Sequence, residues 1–556
     1  MLSRAFLRGS RLRNVASYHK LWRRTLASAN PVSASVESSF GVINPKKAYF
    51  RKASFAAGAT FAALLSYLFL DPSEGDITVS ELRKHNSIND CWIALNGQVY
   101  DITSFLHMHP GGVARLLEVA GSDATEKFYQ IHSDAVFDKM KDNFVYVGNL
   151  RGNVVNELTE EEVKIMEMKK RLPPLSAIFS VSDFENIAKH VLPKSTFMYY
   201  ATGASDEFTI RENHYAYSRV FFRPRVLHES VREVDTSTTF LGTKVSLPFY
   251  ITAFAGSKLA HPLGELNLQS ASYDANVMQM VPKMVSYGID KFFEHVPADQ
   301  NQWMQYHFDN QQEVDDVVEF VRKVEKQPSV KGFFFNVDLA DIGNREKDTR
   351  QRSAEADTEE LDMLVSNTYN HYPLLTWNTI DKILDATDLP VGLKGIQRGE
   401  DVVIAAEKGV KAVVLSNHGG RQLDFSRPPL EVLAEARAML KEKNLEDKIE
   451  LYVDGGIRRG SDIIKALCLG AKGVGLGRPF LYAMAGYGED GVSKLISILD
   501  GEIQNNMRLL GVGRIEDLNE SFIDAKSLAL RNPRTNDALY DEAYEQLFFP
   551  AFKKSV

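Results

Sequence analysis

The run Ser416-Asn417-His418-Gly419-Gly420-Arg421-Gln422-Leu423-Asp424 holds the residue types in this chain best suited to chemistry. Histidine moves protons near neutral pH, and arginine presents a planar fork that matches a carboxylate. The two glycines between them let the backbone turn tightly. A proton acceptor beside a carboxylate clamp implies a substrate that is a small acid with a removable proton. Alone, the run also fits a charged surface turn, so its meaning depends on what else converges on it.

The elements that would position it recur along the chain. Ala412–Leu415, just before the run, reads as a buried strand. Leu247–Ala253, Val277–Val281, Trp303–Phe308, Phe333–Val337, Val391–Leu393, Ile449–Val453 and Gly473–Leu476 are similar short apolar runs followed by helical patterns. Eight such repeats predict an α/β (β/α)8 TIM barrel over residues 178–530. A doubly wound sheet is the alternative, disfavoured because no Gly-x-Gly-x-x-Gly follows the first strand. Reactive residue types gather at the predicted strand ends, where such a barrel builds its site. Asp338 follows the fourth strand, Lys394 the fifth and His418 the sixth. Asp454-Gly455-Gly456-Ile457-Arg458 and Gly475-Leu476-Gly477-Arg478 mark the seventh and eighth. Backbone N–H groups and an arginine there make a phosphate cradle of the kind a cofactor uses.

A second constellation lies within residues 76–150. Thr78-Val79-Ser80-Glu81 predicts a capping box opening a helix. Cys91–Leu95 and Gln98–Ile102 predict two strands around the hairpin turn Asn96-Gly97. His109-Pro110-Gly111-Gly112 follows, with His132 another 23 residues on. Histidines at that separation cannot share one helix face. They can face each other across a pocket lined by Phe105, Leu106, Leu116, Leu117, Phe128, Phe137 and Tyr146, the arrangement an iron porphyrin with two axial imidazoles requires. The segment resembles a cytochrome b5 domain. The resemblance implies an α+β fold and haem b, with His109 and His132 as the metal ligands. Residues 151–177 predict a linker or hinge, with a helix opened by the capping box Thr159-Glu160-Glu161-Glu162 and ended by Pro173-Pro174.

The barrel segment resembles the FMN-dependent L-2-hydroxyacid-oxidising family, and with the haem module in front it resembles that family's flavocytochrome branch. The resemblance implies an enzyme that oxidises an L-2-hydroxy acid, with L-lactate to pyruvate as the expected reaction. FMN would be the flavin, and electrons would pass through haem b to cytochrome c. It implies roles residue by residue. Tyr199 and Arg421 match the carboxylate-binding residues, and Arg345 an arginine near the substrate. His418 matches the catalytic base, Asp338 its stabilising aspartate, and Lys394 the lysine beside the flavin. Ser286, Gln305, Asp454, Gly455, Gly456, Ile457, Arg458, Gly477, Arg478 and the backbone at Ala255 match flavin contacts. Three positions depart from the family pattern. His307 stands in place of a second active-site tyrosine, Asn336 in place of a threonine that can still hydrogen-bond the flavin, and Phe254 where threonine or serine is common. Whether His418 takes the hydroxyl proton or the Cα proton stays open. So do a different 2-hydroxy acid as substrate and a haem protein with a weakened flavin site.

Composition bounds the remaining possibilities. A chain of 556 residues with 44% hydrophobic and 25% charged content is globular, with room for two or three domains. Two cysteines, Cys91 and Cys468, exclude a disulfide scaffold and a cysteine-ligated cluster. Residues 1–70 hold eleven of the 65 Lys/Arg and one of the 73 Asp/Glu, so the rest carries 54 against 72, a net charge of −18. So acidic a body argues against nucleic acid and suits a basic protein partner such as cytochrome c. Arg4, Arg8, Arg11, Arg13, Arg23 and Arg24, with no acid before Glu37, predict a mitochondrial transit peptide over 1–52. Residues 53–70 are eighteen uncharged residues, a sorting or membrane-spanning segment and the one expected membrane contact. Together the two predict the mitochondrial intermembrane space. The aromatic tail, 531–556, fits packing on a neighbour in a homotetramer, again by resemblance.

Overall fold

Five strands form around the Asn96-Gly97 turn as its chemistry dictates. Asn96 and Gly97 both take positive φ (52° and 77°), as a two-residue hairpin requires. They join β3 (Asp90–Leu95) to β4 (Gln98–Asp101). With β1 (Asp76–Thr78), β2 (Asn86–Ser87) and β5 (Val145–Arg151) these make a sheet in the order β1-β5-β4-β3-β2, only the β1–β5 pair being parallel. Alternation along β3 sends Cys91, Ile93 and Leu95 into one cluster with Phe105 and Leu106, while Ala94 packs on the other face with Leu82 and Val99. The Thr78 capping box is half made. Thr78 Oγ1 accepts from the Glu81 N–H at 3.2 Å, but the Glu81 carboxylate turns to Lys84 Nζ at 2.6 Å, and the helix is the single turn Val79–Leu82.

The computed structural model describes residues 76–530 except 110–112, 133–135, 139–142, 153, 155–157, 229–231, 309–313 and 354–374. The expected transit peptide, the apolar segment 53–70 and the tail 531–556 lie outside the described residues, as do Pro110 to Gly112. Among the described residues no helix is long and apolar enough to cross a membrane.

After the haem module, the Thr159–Glu162 capping box is complete and opens the helix Glu160–Lys170. This helix packs on Val181–Val191. Glu161 Oε1 caps the next helix, Lys194–Ala201, by accepting from the Lys194 N–H at 2.8 Å.

The barrel closes as expected. β6 (Phe221–Phe222) precedes it, and the hairpin of β7 (Thr238–Phe240) and β8 (Thr243–Val245) covers its base. Eight strands then run parallel in sequence order: β9 (Phe249–Ile251), β10 (Met278–Pro282), β11 (Gln302–Tyr306), β12 (Val330–Asn336), β13 (Val391–Ile396), β14 (Ala412–Leu415), β15 (Glu450–Asp454) and β16 (Gly473–Leu476), with β16 pairing back to β9. β17 (Ile523–Asp524) pairs with β6 outside the barrel. Strand alternation decides which side chains enter the lumen. Phe240, Tyr250, Met280, Trp303, Phe334, Val414 and Tyr452 fill its lower part, while Phe333, Phe335, Met304 and Tyr306 point into the helix layer. Continuing that period upward brings Gln305, His307, Asn336, Asp338, Lys394, Ser416, His418 and Asp454 to the upper, C-terminal mouth.

Candidate active site

At the mouth, β14 ends in a turn that no ordinary side chain favours. His418 has φ +59°, followed by Gly419 and Gly420 at +66° and +79°; a non-glycine residue there costs roughly 1 kcal/mol and persists where neighbours hold it. His418 Nδ1 lies 3.1 Å from Asp338 Oδ2. Burial pushes the imidazole pKa below its ordinary value, and Asp338 opposes only part of that. Burial also opposes charge on Asp338, yet the His418 charge and hydrogen bond hold its pKa low. At neutral pH the pair is a neutral imidazole oriented by a carboxylate, which is the state that can accept a proton.

Lys394, 4% exposed, reaches Asp454 Oδ2 and Ser416 Oγ, both at 3.2 Å. Burial works against its charge, but Asp454 and Asp338 outweigh it and its pKa stands above normal. It is a fixed cation in the floor of the site.

Two arginines face the same space. Arg421 Nη2 donates to the Tyr199 carbonyl at 2.7 Å, with its guanidinium 5.1 Å from the centre of the Tyr199 ring. Burial, then the nearby Arg345, drive its pKa down to about 10. Arg421 Nε, Arg345 Nε, Asp338 Oδ1 and Asp454 Oδ1 are buried without a hydrogen-bond partner. Each orphaned polar atom costs roughly 1–3 kcal/mol, so such a group around one space is the mark of a ligand site, and two crowded guanidiniums call for an anion.

The departures from the family pattern meet here too. His307 Nδ1 sits 3.3 Å from Asn336 Nδ2, and Asn336 Oδ1 accepts from Gln305 Nε2 at 2.6 Å. Burial, then His418, push the His307 pKa down to about 4, leaving it neutral. Phe254 and Ala255 line the cavity beside them.

Gly455, Gly456, Ile457, Arg458, Gly477 and Arg478 line the far wall. Gly456 has φ +80°, and a Cβ there would lie 2.1 Å from the Asn213 carbonyl oxygen. The two arginine heads expected to face a phosphate are held by protein acceptors. Arg458 binds the Glu185 carboxylate, and Arg478 donates to the Tyr200, Gly419 and Thr202 carbonyls at 2.8, 2.9 and 3.1 Å. Ser286 is held by a carboxylate. It is buried four residues beyond β10, with its N–H and Oγ on Glu265 Oε1 at 3.1 and 3.0 Å, while the cavity wall after β10 is made by Pro282, Lys283 and Met284. Those two bonds tie the loop after β10 to Glu265.

The expectations left out three supporting residues. Ser416 Oγ accepts from Lys394 Nζ and, at 3.1 Å, from the His418 N–H. Gln422 Nε2 donates to the Asp338 and Asp341 carbonyls at 2.7 and 2.8 Å, fixing the aspartate loop. Asp424 Oδ1 caps the helix Phe208–Ser218 through the Thr209 N–H at 2.8 Å. The available signal was their place in one polar run directly after a buried strand.

The haem module carries its own pair. The His109 and His132 rings stand 6.1 Å apart, centre to centre, and His132 stacks on Phe128 at 4.7 Å. Two metal–imidazole bonds of about 2.0–2.1 Å, each with about 1.1 Å from nitrogen to ring centre, predict roughly 6.3 Å, so one ion fits between them. Burial, then His109, push the His132 pKa down to about 4, the neutral form a metal needs. Phe105, Leu116, Val119, Phe128 and Phe144 supply apolar walls. Phe144 fills the place expected of Tyr146, which is 51% exposed and bonds Asn149 at 3.0 Å. The helix Thr125–Ile131, next to His132, touches the barrel helix Ser257–Ala260. One cavity of about 2290 Å³ is lined from both domains, from His109 and His132 to His418 and Gly456. The donor set therefore fits an iron porphyrin at one end and a flavin nucleotide with a small anion at the other.

Comparison with known proteins agrees. The FMN-dependent dehydrogenase family model matches residues 188–525, and the cytochrome b5-like haem/steroid-binding domain model matches 78–151. L-lactate dehydrogenase (cytochrome) of Wickerhamomyces anomalus is 43% identical over 494 residues, 86% of each chain. Its counterpart from Saccharomyces cerevisiae is 44% identical over 502 residues, 86% of this chain and 84% of the relative. Among solved structures, a flavocytochrome b2 variant with pyruvate bound is 45% identical with a TM-score of 0.63, covering 72% of this chain and 100% of that one. The chain belongs to the FMN-dependent dehydrogenase family, with a cytochrome b5-like domain ahead of the barrel.

Proposed function

We propose that this protein oxidises L-lactate to pyruvate and delivers the electrons to cytochrome c. The observation that carries the reading is a single cavity holding a base–carboxylate pair, two anion-seeking arginines and, at its other end, a histidine pair spaced for iron. The similarity to two enzymes named L-lactate dehydrogenase (cytochrome) supports it.

In this reading Arg421, Arg345 and Tyr199 hold the substrate carboxylate, and His307 borders the substrate as a neutral hydrogen-bonding wall. His418 takes the proton, and Asp338 stabilises the imidazolium that results. Lys394 puts positive charge where the flavin would gain negative charge. Gln305, Asn336 and the Ala255 backbone border the flavin ring, and Asp454 to Arg458 with Gly477 and Arg478 surround its phosphate end. His109 and His132 ligate the haem iron. Bound FMN supplies two-electron acceptance from the hydroxy acid, and bound haem b supplies one-electron relay.

The same proposal covers organisation. Residues 1–52 are a transit peptide, 53–70 a sorting segment, 76–150 the haem domain, 151–177 a linker, 178–530 the dehydrogenase barrel and 531–556 a tail. The basic leader and apolar segment support the mitochondrial intermembrane space, the acidic body suits a basic cytochrome c, and a homotetramer is expected by family likeness. The test is anaerobic addition of L-lactate to the holoenzyme. Bleaching of the flavin, followed by haem reduction and then reduction of added cytochrome c, is the expected result, and an unbleached flavin would refute the reading. His307 favours one variant of it, a different 2-hydroxy acid as best substrate. Steady-state rates on lactate, glycolate, mandelate and longer acids decide between them.

A further inference from the structure

The strained turn at His418 needs something to hold it, and the structure shows what does. Asn417 is 1% exposed, and its side-chain amide has no spare hydrogen-bonding capacity. Its Oδ1 accepts from the Gly420 N–H at 3.0 Å and from Asn213 Nδ2 at 2.7 Å. Its Nδ2 donates to Asn213 Oδ1 at 2.7 Å and to the Arg427 carbonyl at 3.2 Å. Gly420 and Arg427 are local to the turn. Asn213 comes from the helix Phe208–Ser218, 204 residues earlier.

Asn213 is itself 1% exposed, and its amide meets Asn417 in a closed, reciprocal pair. The same helical turn touches the glycine wall opposite. The Asn213 carbonyl occupies the space a Cβ on Gly456 would fill, its Nδ2 lies 3.1 Å from where a Cβ on Gly455 would stand, and His214 Nδ1 is 3.0 Å from the Gly456 carbonyl. One residue therefore abuts both the turn that aims His418 and the turn that faces the flavin's phosphate end.

We infer that Asn213 is a positioning residue that sets the His418 turn and the Gly455–Gly456 turn as one unit, so that losing its amide lowers turnover and flavin retention together. The inference rests on the proposed function for the part concerning His418. The Asn213 amide acts through Asn417 and through its Nδ2, which lies against Gly455. Its replacement should misplace the base rather than remove a substrate contact, which moves kcat more than KM.

The test uses the full-length holoenzyme. Asn213→Ala, Asn417→Ala and the double variant are measured beside Asn213→Asp, which is nearly isosteric and can accept from Asn417 but not donate back. The readouts are kcat and KM for L-lactate with a dye acceptor, FMN dissociation by flavin fluorescence, and circular dichroism for folding. Expected are a fall in kcat of about 10- to 100-fold with KM within about 3-fold, and weakening of FMN binding by about 10-fold in the Asn213 variants. The double variant should be little worse than either single one, since the two amides act as a pair. Native kcat and FMN affinity in Asn213→Ala would overturn the inference, and so would additive losses in the double variant. If Asn213→Ala does not fold, Asn213→Asp decides by the same two readouts. His418→Gln separates the two readings. Normal turnover by that variant overturns the proposed function, while the FMN affinities of the Asn213 variants still judge the linkage to the glycine turn.

Discussion

The two ends of the cavity are built on opposite plans. The haem end rests on two side chains 23 residues apart, His109 and His132, within one small sheet-and-helix module. The flavin end draws its groups from the ends of the barrel strands, from Ala255 to Arg478, with pairs such as Asp338 and Arg345 after β12 and His418 and Arg421 after β14. A local site depends on few bonds, and removing one abolishes it. A distributed site spreads its dependence, and single changes grade from severe to mild according to what each residue touches.

The sharpest test of that contrast is His132→Ala. The variant removes one of the two expected axial ligands, so haem absorbance and L-lactate-driven cytochrome c reduction should both vanish. Dye reduction at the other end should stay within about 3-fold, as distant sites act independently. Loss of dye reduction in step with haem would break the comparison. His418→Gln is the matching test in the barrel. It should slow flavin reduction by about 10²- to 10⁴-fold, the usual cost of losing a general base, with the haem spectrum unchanged. Stopped-flow spectroscopy follows both chromophores at once.

Arg345→Ala comes next. It removes one of two guanidiniums around the anion space, so kcat/KM for L-lactate should fall by about 10- to 100-fold, as expected for one charge-assisted bond. Arg421→Ala should cost more, because Arg421 also anchors Tyr199 through its carbonyl. Equal losses would show that the Tyr199 contact adds nothing.

These differences follow how much could be read from residues alone. The eight strands were legible because each is a short apolar run, and closure then fixed the inward faces. Asp338, Lys394 and His418 were legible because strand ends can be counted. The surroundings of Ser286 were not legible because β10 ends at Pro282, and a serine four residues on looks the same in sequence whether or not it also bonds Glu265. Asn213 was invisible for a different reason. Its partner Asn417 is 204 positions away, and no local pattern records a pairing that exists only once the barrel has closed. Tyr146 sits at the exposed start of β5, edge-on against Tyr100, while Phe144, just before the strand, packs on Phe105.

Acid should expose the distributed site more gently. His418 has a pKa below the ordinary histidine value, so the acid limb of kcat/KM for L-lactate should lie below about pH 6.5. His307 is held neutral with a pKa of about 4. The unfolded chain, with its histidine near 6.5, binds more protons than the native state between those values. The contribution of His307 to stability is therefore intact above 6.5 and is lost as pH falls toward 4. His307→Gln should flatten the decline in melting temperature between pH 6.5 and 4.5 when flavin fluorescence is the probe. An unchanged slope would mean that another group governs the acid loss.

The smallest expected effect is also the finest discriminator. If Ser286 touched the flavin, Ser286→Ala would weaken FMN binding. Its hydroxyl instead accompanies its own N–H on Glu265 Oε1, and Glu265 is a fully buried carboxyl whose pKa burial raises. Removing the hydroxyl leaves the backbone bond in place, so Glu265 keeps one partner there. Ser286→Ala should then cost about 1 kcal/mol of stability, the net worth of one buried hydrogen bond, and leave the FMN dissociation constant within about 2-fold. A larger loss of FMN affinity with unchanged stability would restore Ser286 to the flavin wall and move the end of β10 upward. The predicted pattern, lost stability with retained affinity, places Ser286 among the residues that brace the loop after β10, one step removed from the cavity that Met284 lines.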